Sequence, residues 1–398
     1  MGSPSEVLLA FFKMGMSCFG GPIAHVGYFR NEFVVRRGWL DEPAYADLVA
    51  LCQFLPGPAS SQVGFCIGLA RAGYSGGLAA WFGFTLPSAI IMVLFAYGAA
   101  ALAGPAGAGL LHGLRLVAVA IVAQAVWGMA RTLCPDRERA TIALAAALIL
   151  LCISSPLAQV ATIAGGGLAG LWLCRAPAPA TTAHLVVPVS PRAGLVALIA
   201  FLALLGGLPL VRDLYHSQTL ALLDAFYRSG ALVFGGGHVV LPLLREAFVA
   251  PGWVSDDTFL AGYGAAQGIP GPLFSFAAYL GAVVHPSPHG LAGAGLGLVA
   301  IFLPGMLIVI GALPFWNSLR QRADAQAVMR GVNAAVVGLL GAALYDPIWT
   351  SSVGTAADLA VALVGFVLLT VWRAPPLLVV FISALLGLSL AHLAIISP

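Results

Sequence analysis

The sequence is short of charge. Only 8% of its 398 residues are Asp, Glu, Lys or Arg, against roughly 25% in a soluble globular domain. Too few charged side chains remain to wet a soluble surface. Lysine is nearly missing, and Lys13 is the single one. The formal net charge of +3 gives no basic footprint, so no nucleic-acid partner is expected. A GxxxxGK phosphate loop is missing, so ATP hydrolysis is not expected to drive work here. Cys18, Cys52, Cys66, Cys134, Cys152 and Cys174 include no CxxC pair and no Cys/His set with zinc spacing. They read as small membrane hydrophobes, and no cofactor or metal is expected. The opening "MGSPSEVLLAFF" has no basic n-region and no small-residue cleavage site, so no signal peptide is expected.

What is present is apolar. Hydrophobic residues make up 60% of the chain and mean hydropathy is +0.98. Runs such as "LAAWFGFTLPSAIIMVLFAYGAAALAG" (78–104) exceed the ~20 residues that cross a bilayer. Backbone groups in lipid must bond internally, so the spans are helices. Long runs with weak alternation argue against a β-barrel. The expected fold class is an all-α polytopic membrane protein, with the lipid bilayer as its solvent.

The chain reads as a duplication. A shift of 215 lays Lys13 on Arg228, "FGG" (19–21) on "FGG" (234–236), and Arg30 on Arg245. After a one-residue gap Trp39 falls on Trp253, Gln53 on Gln267 and "PGP" (56–58) on "PGP" (270–272). Further on, "LP" (86–87) matches "LP" (303–304), and "GLR" (113–115) matches "GVN" (331–333). The expected organisation is a first repeat at 1–175, a linker with one extra transmembrane helix at 176–215, and a second repeat at 216–398. Duplicated halves with Gly/Pro interruptions at matching places are the pattern of secondary transporters, with the site at the breaks.

Each repeat is expected to open with two helix–break–helix hairpins. Residues 5–18 precede "FGGP", Pro22 opens the next segment, and Asp41 is placed to cap another. "PGP" breaks that one, and a helix resumes from Ala59 to about Arg71. About four spans follow (77–103, 108–130, 140–154, 157–174), and 194–211 is the extra helix. With re-entrant hairpins and a cytoplasmic N-terminus, only Arg212 and Arg245 of the loop arginines face outward, as the positive-inside rule favours. Five crossings between equivalent points make the repeats inverted and place the C-terminus in the periplasm.

Half-helix N-termini inside a membrane offer unpaired N–H groups and a positive dipole end. Glycine lets an anion approach that backbone. The breaks are Gly20-Gly21-Pro22, Pro56-Gly57-Pro58, Gly235-Gly236-Gly237 and Pro270-Gly271-Pro272. Four breaks at one midplane can surround a small oxyanion. Gln53 and Gln267 sit three residues before each PGP as amide donors, and His25 and His238 lie within a turn of the first breaks. Lys13 and Arg228 are intramembrane charges at matching places, which default to function; the bland alternative is snorkelling to the interface. Arg115 is a third candidate cation. Arg30, Arg36 and Arg37 read as a topology signal, Asp41, Asp256 and Asp257 as helix caps, and Trp39 and Trp253 as interfacial anchors. Faces rich in Gly and Ala permit a homodimer.

Through these residues the sequence resembles the chromate transporter family in its long-chain, two-domain form. The resemblance rests on "SCFGGPIAHVGYFRNEFVVRRGWLDEPAYADLVALCQFLPGPASSQVGFCIGLARAGYSGGLAAW" (17–81) and "FGGGHVVLPLLREAFVAPGWVSDDTFLAGYGAAQGIPGPLFSFAAYLGA" (234–282). It implies export of chromate across a prokaryotic inner membrane, chromate resistance, and sulfate as the close structural analogue. It also implies that the FGG, PGP and nearby basic positions matter. One departure is "FGGG" in the second half where the first has "FGGP". Rival readings are a sulfate or other oxyanion transporter, an ion channel, and an intramembrane protease using Ser75 of "GYSG" (73–76). The last is a four-residue match at a turn, and the chain is not expected to be an enzyme.

Overall fold

The computed structural model describes residues 2–19, 21–101, 105–153, 155–175, 189–234, 237–285, 287–319 and 321–396. Among the described residues every regular element is helical. Helix α1 (Pro4–Ser17) starts where Ser3 Oγ accepts from the Glu6 N–H at 3.2 Å. It ends at Cys18, whose backbone is extended. Helix α2 (Gly21–Phe29) runs into a π-helical turn, Arg30–Arg36. Helix α3 (Glu42–Phe54) is capped by Asp41, whose Oδ1 accepts from the Ala44 N–H at 2.8 Å. Helix α4 (Ala59–Ala101) is two rods joined at Ala72 and Gly73. Then come α5 (Pro105–Leu133), α6 (Arg137–Cys152), α7 (Pro156–Leu173) and α8 (Pro191–Tyr215).

The second half follows the same order. It comprises α9 (Gln218–Ala231), α10 (Val240–Phe248), α11 (Asp256–Gln267), α12 (Phe276–Val283) and α13 (Gly290–Ala312). The short α14 (Trp316–Leu319) precedes α15 (Ala323–Ala343), and the short α16 (Thr350–Ser352) precedes α17 (Ala356–Thr370) and α18 (Pro376–Ile396). Five stretches are long and apolar enough to cross a bilayer: Ala59–Gly98, Gly107–Leu133, Pro191–Tyr215, Gly290–Phe315 and Ala323–Ser352. The protein is an all-α polytopic membrane protein. The arms α1, α3, α9 and α11 have 12 to 14 residues each, so at 1.5 Å per residue they are roughly 20 Å long. The proline-rich segment proposed as a linker falls largely on 176–188, outside the described residues.

Two of the expected caps are corrected. Ser255, not Asp256 or Asp257, caps α11, its Oγ accepting from the Thr258 N–H at 3.2 Å. Asp256 instead accepts from Arg245 at 2.8 and 2.9 Å. Its equivalent ion pair in the first half is Arg30 with Glu42 at 2.6 Å. Trp39 is half-buried rather than a bare anchor. It stacks on Phe33 with ring centroids 4.8 Å apart, and the Arg37 and Arg71 guanidinium groups lie 5.3 and 5.0 Å from its centre, a cation–π arrangement.

The two halves interlock. The long α5 packs against α17 and α18 of the second half, and the long α15 packs against α6 and α7 of the first. Close backbone approaches recur at equivalent places. Gly68 and Gly76 touch where α4 folds back on itself, and Gly281 and Gly293 touch where α12 meets α13. A Cβ at any of the four would collide with the facing carbonyl. With no hydrophobic drive between helices in lipid, such small-residue contacts are what bring helices together.

Candidate functional site

The breaks form because the local sequence cannot continue a helix. Gly21 takes φ +76 and Pro22 follows in the first turn of α2, where its missing N–H costs nothing. Gly57 takes φ +122 and Gly271 φ +98, backbone that an L side chain rarely adopts. A Cβ at Gly57 would lie 2.8 Å from Gln62 Nε2, and one at Gly271 would lie 2.8 Å from Ser88 Oγ.

These breaks are tied to one another across the halves. The Gly57 N–H donates to the Val233 carbonyl at 2.7 Å, and the Gly271 N–H donates to the Cys18 carbonyl at 2.9 Å. Val233 and Cys18 are equivalent residues, each lying just before an FGG. Each PGP is thus bonded to the chain leading into the glycine break of the other half. Gly20, Gly235 and Gly236 lie outside the described residues. The Pro56, Gly57, Pro58, Pro270, Gly271 and Pro272 turns are buried.

Neutral polar side chains gather here. His25 is fully buried. Its Nδ1 lies 3.4 Å from Ser60 Oγ and its ring meets Phe84 edge-on at 5.2 Å. His238 Nδ1 is 2.8 Å from the hydroxyl of the buried Tyr263. Gln62 donates through Nε2 to the Pro56 and Gly305 carbonyls, both at 2.9 Å. Ser275 Oγ donates to the Pro272 carbonyl at 2.7 Å. The α4 fold-back sets Gly68 against Gly76 and Phe65 against Gly77, and His25 bridges Ser60 and Phe84 on its two rods.

Several atoms in this region have no partner within the protein. They are Ser61 Oγ, Gln62 Oε1, Trp81 Nε1 and Thr85 Oγ1, all buried, while His25 leans on the Cys18 backbone and the Gln267 amide on Tyr263. An unmet buried polar atom costs about 1–3 kcal/mol, and hydrocarbon supplies no substitute. A cluster of them is chemically suited to water or a polar ligand.

The cations proposed from the sequence are elsewhere or already matched. Lys13 is exposed on α1, on the stripe with Leu9, Phe12 and Met16 that are 70%, 42% and 53% exposed. That stripe faces away from the core, a placement that snorkelling would require. Arg228 donates to Asp224 at 2.9 and 3.1 Å, and Asp224 also takes Arg212 at 2.9 Å. Asp224 is 4% exposed, so a buried carboxylate between two arginines already answers this charge. Arg115 pairs with Asp257 and approaches His112 at 3.3 Å.

The glutamines divide as well. Gln267 is half-buried, but Gln53 is exposed. The amide that serves the first PGP is Gln62, within the "SSQ" that follows it after Ala59. A run of three polar residues opening an apolar helix was the signal for it. Ser75, the nucleophile of the protease reading, is exposed and donates to the Ala72 carbonyl at 3.2 Å, which is turn chemistry. A small polar cavity lined by Ser155, Gln159, Arg245, Glu246 and Asp346 lies apart from the breaks.

The chain is similar to chromate transport proteins along most of its length. The chain is 29% identical over 350 residues to the chromate transport protein of Pseudomonas aeruginosa, covering 86% of this chain and 80% of that one. It is 24% identical over 403 residues to the probable chromate transport protein of Synechococcus elongatus, covering 95% and 93%. It is 25% identical over 346 residues to the chromate transport protein of Cupriavidus metallidurans, covering 85% and 81%. No solved structure gives a significant match. The chromate transporter family model matches twice, at residues 5–171 and 220–388, and the chain belongs to that family.

Proposed function

We propose that this protein is a secondary transporter that exports chromate across the prokaryotic inner membrane and so confers chromate resistance. Two inverted repeats, 1–175 and 216–398, are joined by a segment carrying one extra helix, with the N-terminus cytoplasmic and the C-terminus periplasmic. The breaks are the binding site. Chromate is held by backbone N–H groups at the FGG turns and, beside the PGP turns, by the side chains of His25, Ser61, Thr85 and Gln267. The donors are neutral, so the dianion is held by dipoles rather than by an opposing ion. That permits release as well as capture. Lys13 and Arg228 act outside this shell.

The observation that carries the reading is the reciprocal pair of break-to-break bonds, Gly57 to Val233 and Gly271 to Cys18, with unpartnered buried polar atoms around it. The membrane potential suffices as a drive. One charge moving through 100 mV gains ~2.3 kcal/mol. A dianion leaving a negative-inside cell therefore gains about 5 kcal/mol per 100 mV, several-thousand-fold at 1.4 kcal/mol per decade.

The test is radiolabelled chromate flux in proteoliposomes under an imposed voltage. Flux that follows the sign of the voltage is expected, and no voltage-driven flux refutes the proposal. Sulfate, also a tetrahedral dianion, is the alternative cargo that the same neutral donors would fit. Sulfate outcompeting chromate at equal concentration in everted vesicles would reassign the substrate. Cysteine labelling that finds residues 30–37 and 245–257 on one face would refute the inverted arrangement.

A further inference from the structure

A second polar cluster, on α5, is left unused by the transport site. His112 Nε2 lies 2.6 Å from Asp358 Oδ1 at the start of α17. Asp358 is 5% exposed. Its other oxygen accepts from the Gly354 and Thr355 N–H groups at 3.1 and 2.9 Å. His112 Nδ1 faces Arg115 Nη2 at 3.3 Å. Arg115 Nη1 in turn pairs with Asp257 in the first turn of α11.

The protonation state follows from the partners. A guanidinium has N–H donors and no acceptor. Nδ1 must therefore accept from Arg115, and the single imidazole proton sits on Nε2, donating to Asp358. His112 is neutral in this arrangement. A proton added at Nδ1 sets donor against donor and cation against cation. That proton and the Arg115 bond exclude each other.

We propose that Nδ1 of His112 is a proton-binding site that couples proton movement to anion transport, a proposal that rests on the transport reading above. The proton is exchanged with solvent at the 27% exposed imidazole, binding Nδ1 and leaving by the same atom. No bond breaks except the hydrogen bond to Arg115. The link to the breaks is α11. Its first turn holds Asp257, the partner to which a displaced Arg115 is left. Its middle is pressed on α5, where Gly264 abuts the Leu114 carbonyl so closely that a Cβ would not fit. Its last residue is Gln267, three before Pro270. A change of partner at Arg115 is therefore delivered along one rigid helix to the second PGP.

The surrounding charges leave His112 as the switchable group. On α11, Asp256 is taken by Arg245 and Tyr263 by His238. On α15, Arg330 bonds the Cys174 carbonyl and Gln326, and Asp324 pairs with Arg175. In the π-helical turn after α15, Tyr345 is exposed and Asp346 accepts from Thr350. On α18, His392 is exposed, more than a turn beyond the contact of Gly113 with Ser383. On α17, Asp358 is the one titratable residue. The device is also single. The positions equivalent to His112 and Arg115 in the other half are Arg330 and Asn333, and an arginine does not release its proton.

The experiment uses the full chain in proteoliposomes, with chromate flux measured under a voltage at equal pH and under a pH gradient at zero voltage. Wild-type flux is expected to rise roughly tenfold under a two-unit gradient, which multiplies the proton ratio by about a hundred. His112→Gln, which keeps the Nε2-side donor, is expected to retain voltage-driven flux and lose the response to the gradient. A wild-type protein that moves chromate under voltage but ignores the gradient, or a His112→Gln variant that still follows it, overturns the proposal. Independently of transport, ¹⁵N-histidine NMR reads the ring directly, with the His112 signal identified by its loss in His112→Gln. The Nε2–H tautomer is expected while the Arg115 bond is made, and acid is expected to add the second proton at Nδ1. A ring protonated on Nδ1 throughout overturns the proposal even where no flux is measured.

Discussion

Gln62 offers the sharpest test of how the breaks are held. Its Nε2 donates to the Pro56 and Gly305 carbonyls at 2.9 Å each, joining the first PGP to α13 of the other half. Gln62→Leu keeps the bulk and removes both donors. The Pro56 carbonyl left unmet costs about 1–3 kcal/mol, and Gly305, which keeps its own helical partner inside α13, loses one bond worth about 1 kcal/mol, so the loss is about 2–4 kcal/mol before any offset. The offset comes from Gln62 Oε1, which is buried without a partner, and its removal returns about 1 kcal/mol or more. The net expectation is a destabilisation of about 1–3 kcal/mol. Gln53→Leu is the control. Gln53 is exposed, so its replacement should change stability by less than about 0.5 kcal/mol. Equilibrium unfolding of both variants in mixed micelles measures the difference, and chromate flux is read in parallel. Equal stability of the two variants, or a larger loss in Gln53→Leu, would refute the assignment of Gln62 as the brace of this break.

Three further outcomes are expected. Gly57→Ala and Gly271→Ala each cost about 1–3 kcal/mol from positive φ alone, and their Cβ atoms also push on Gln62 and Ser88. Both should lower flux, and wild-type flux from either would remove the breaks from the site. Lys13→Ala should leave chromate flux within about twofold, the effect of ~0.5 kcal/mol, because Lys13 stands on the exposed stripe of α1; a tenfold loss would restore it as a counter-charge. Asp136 caps α6 through the Arg139 N–H at 2.9 Å, and hydrogen bonding and charge from Arg139 hold its carboxyl below the usual range. A depressed folded pKa gives stability that is present above about pH 4 and lost as pH falls through it. Asp136→Ala should therefore cost about 1 kcal/mol at pH 7, and thermal unfolding curves of variant and wild type should converge on acidification.

The interlocking of the halves bears on how such a carrier moves. Each long central helix is gripped by the closing helix pair of the other repeat, α5 by α17 and α18, α15 by α6 and α7. Neither half can rock as a separate body without moving both breaks, since Gly57 and Gly271 are bonded across. Motion then falls to the turns themselves, where glycine at positive φ and unpartnered polar atoms leave the fewest bonds to break.

Much of this was legible in the chain. Low charge and long apolar runs determined the α-helical membrane class, because lipid leaves the backbone no other partner. Gly/Pro punctuation placed the helix ends at FGG and PGP within a few residues, because φ and the missing proline N–H act locally. Self-similarity gave the equivalence of Gly57 with Gly271 and of Cys18 with Val233. The facing of side chains was not legible. Lys13 and Arg228 hold matching places in the sequence, yet one points outward and the other is matched by Asp224, which no spacing rule connects to Arg212. Gln53 and Gln62 both flank one PGP, and only the packing against Gly305, some 240 residues away in the chain, selects Gln62. Local backbone chemistry is written in neighbouring residues, whereas which charge is answered and which amide is buried depends on contacts between halves that only the assembled fold brings together.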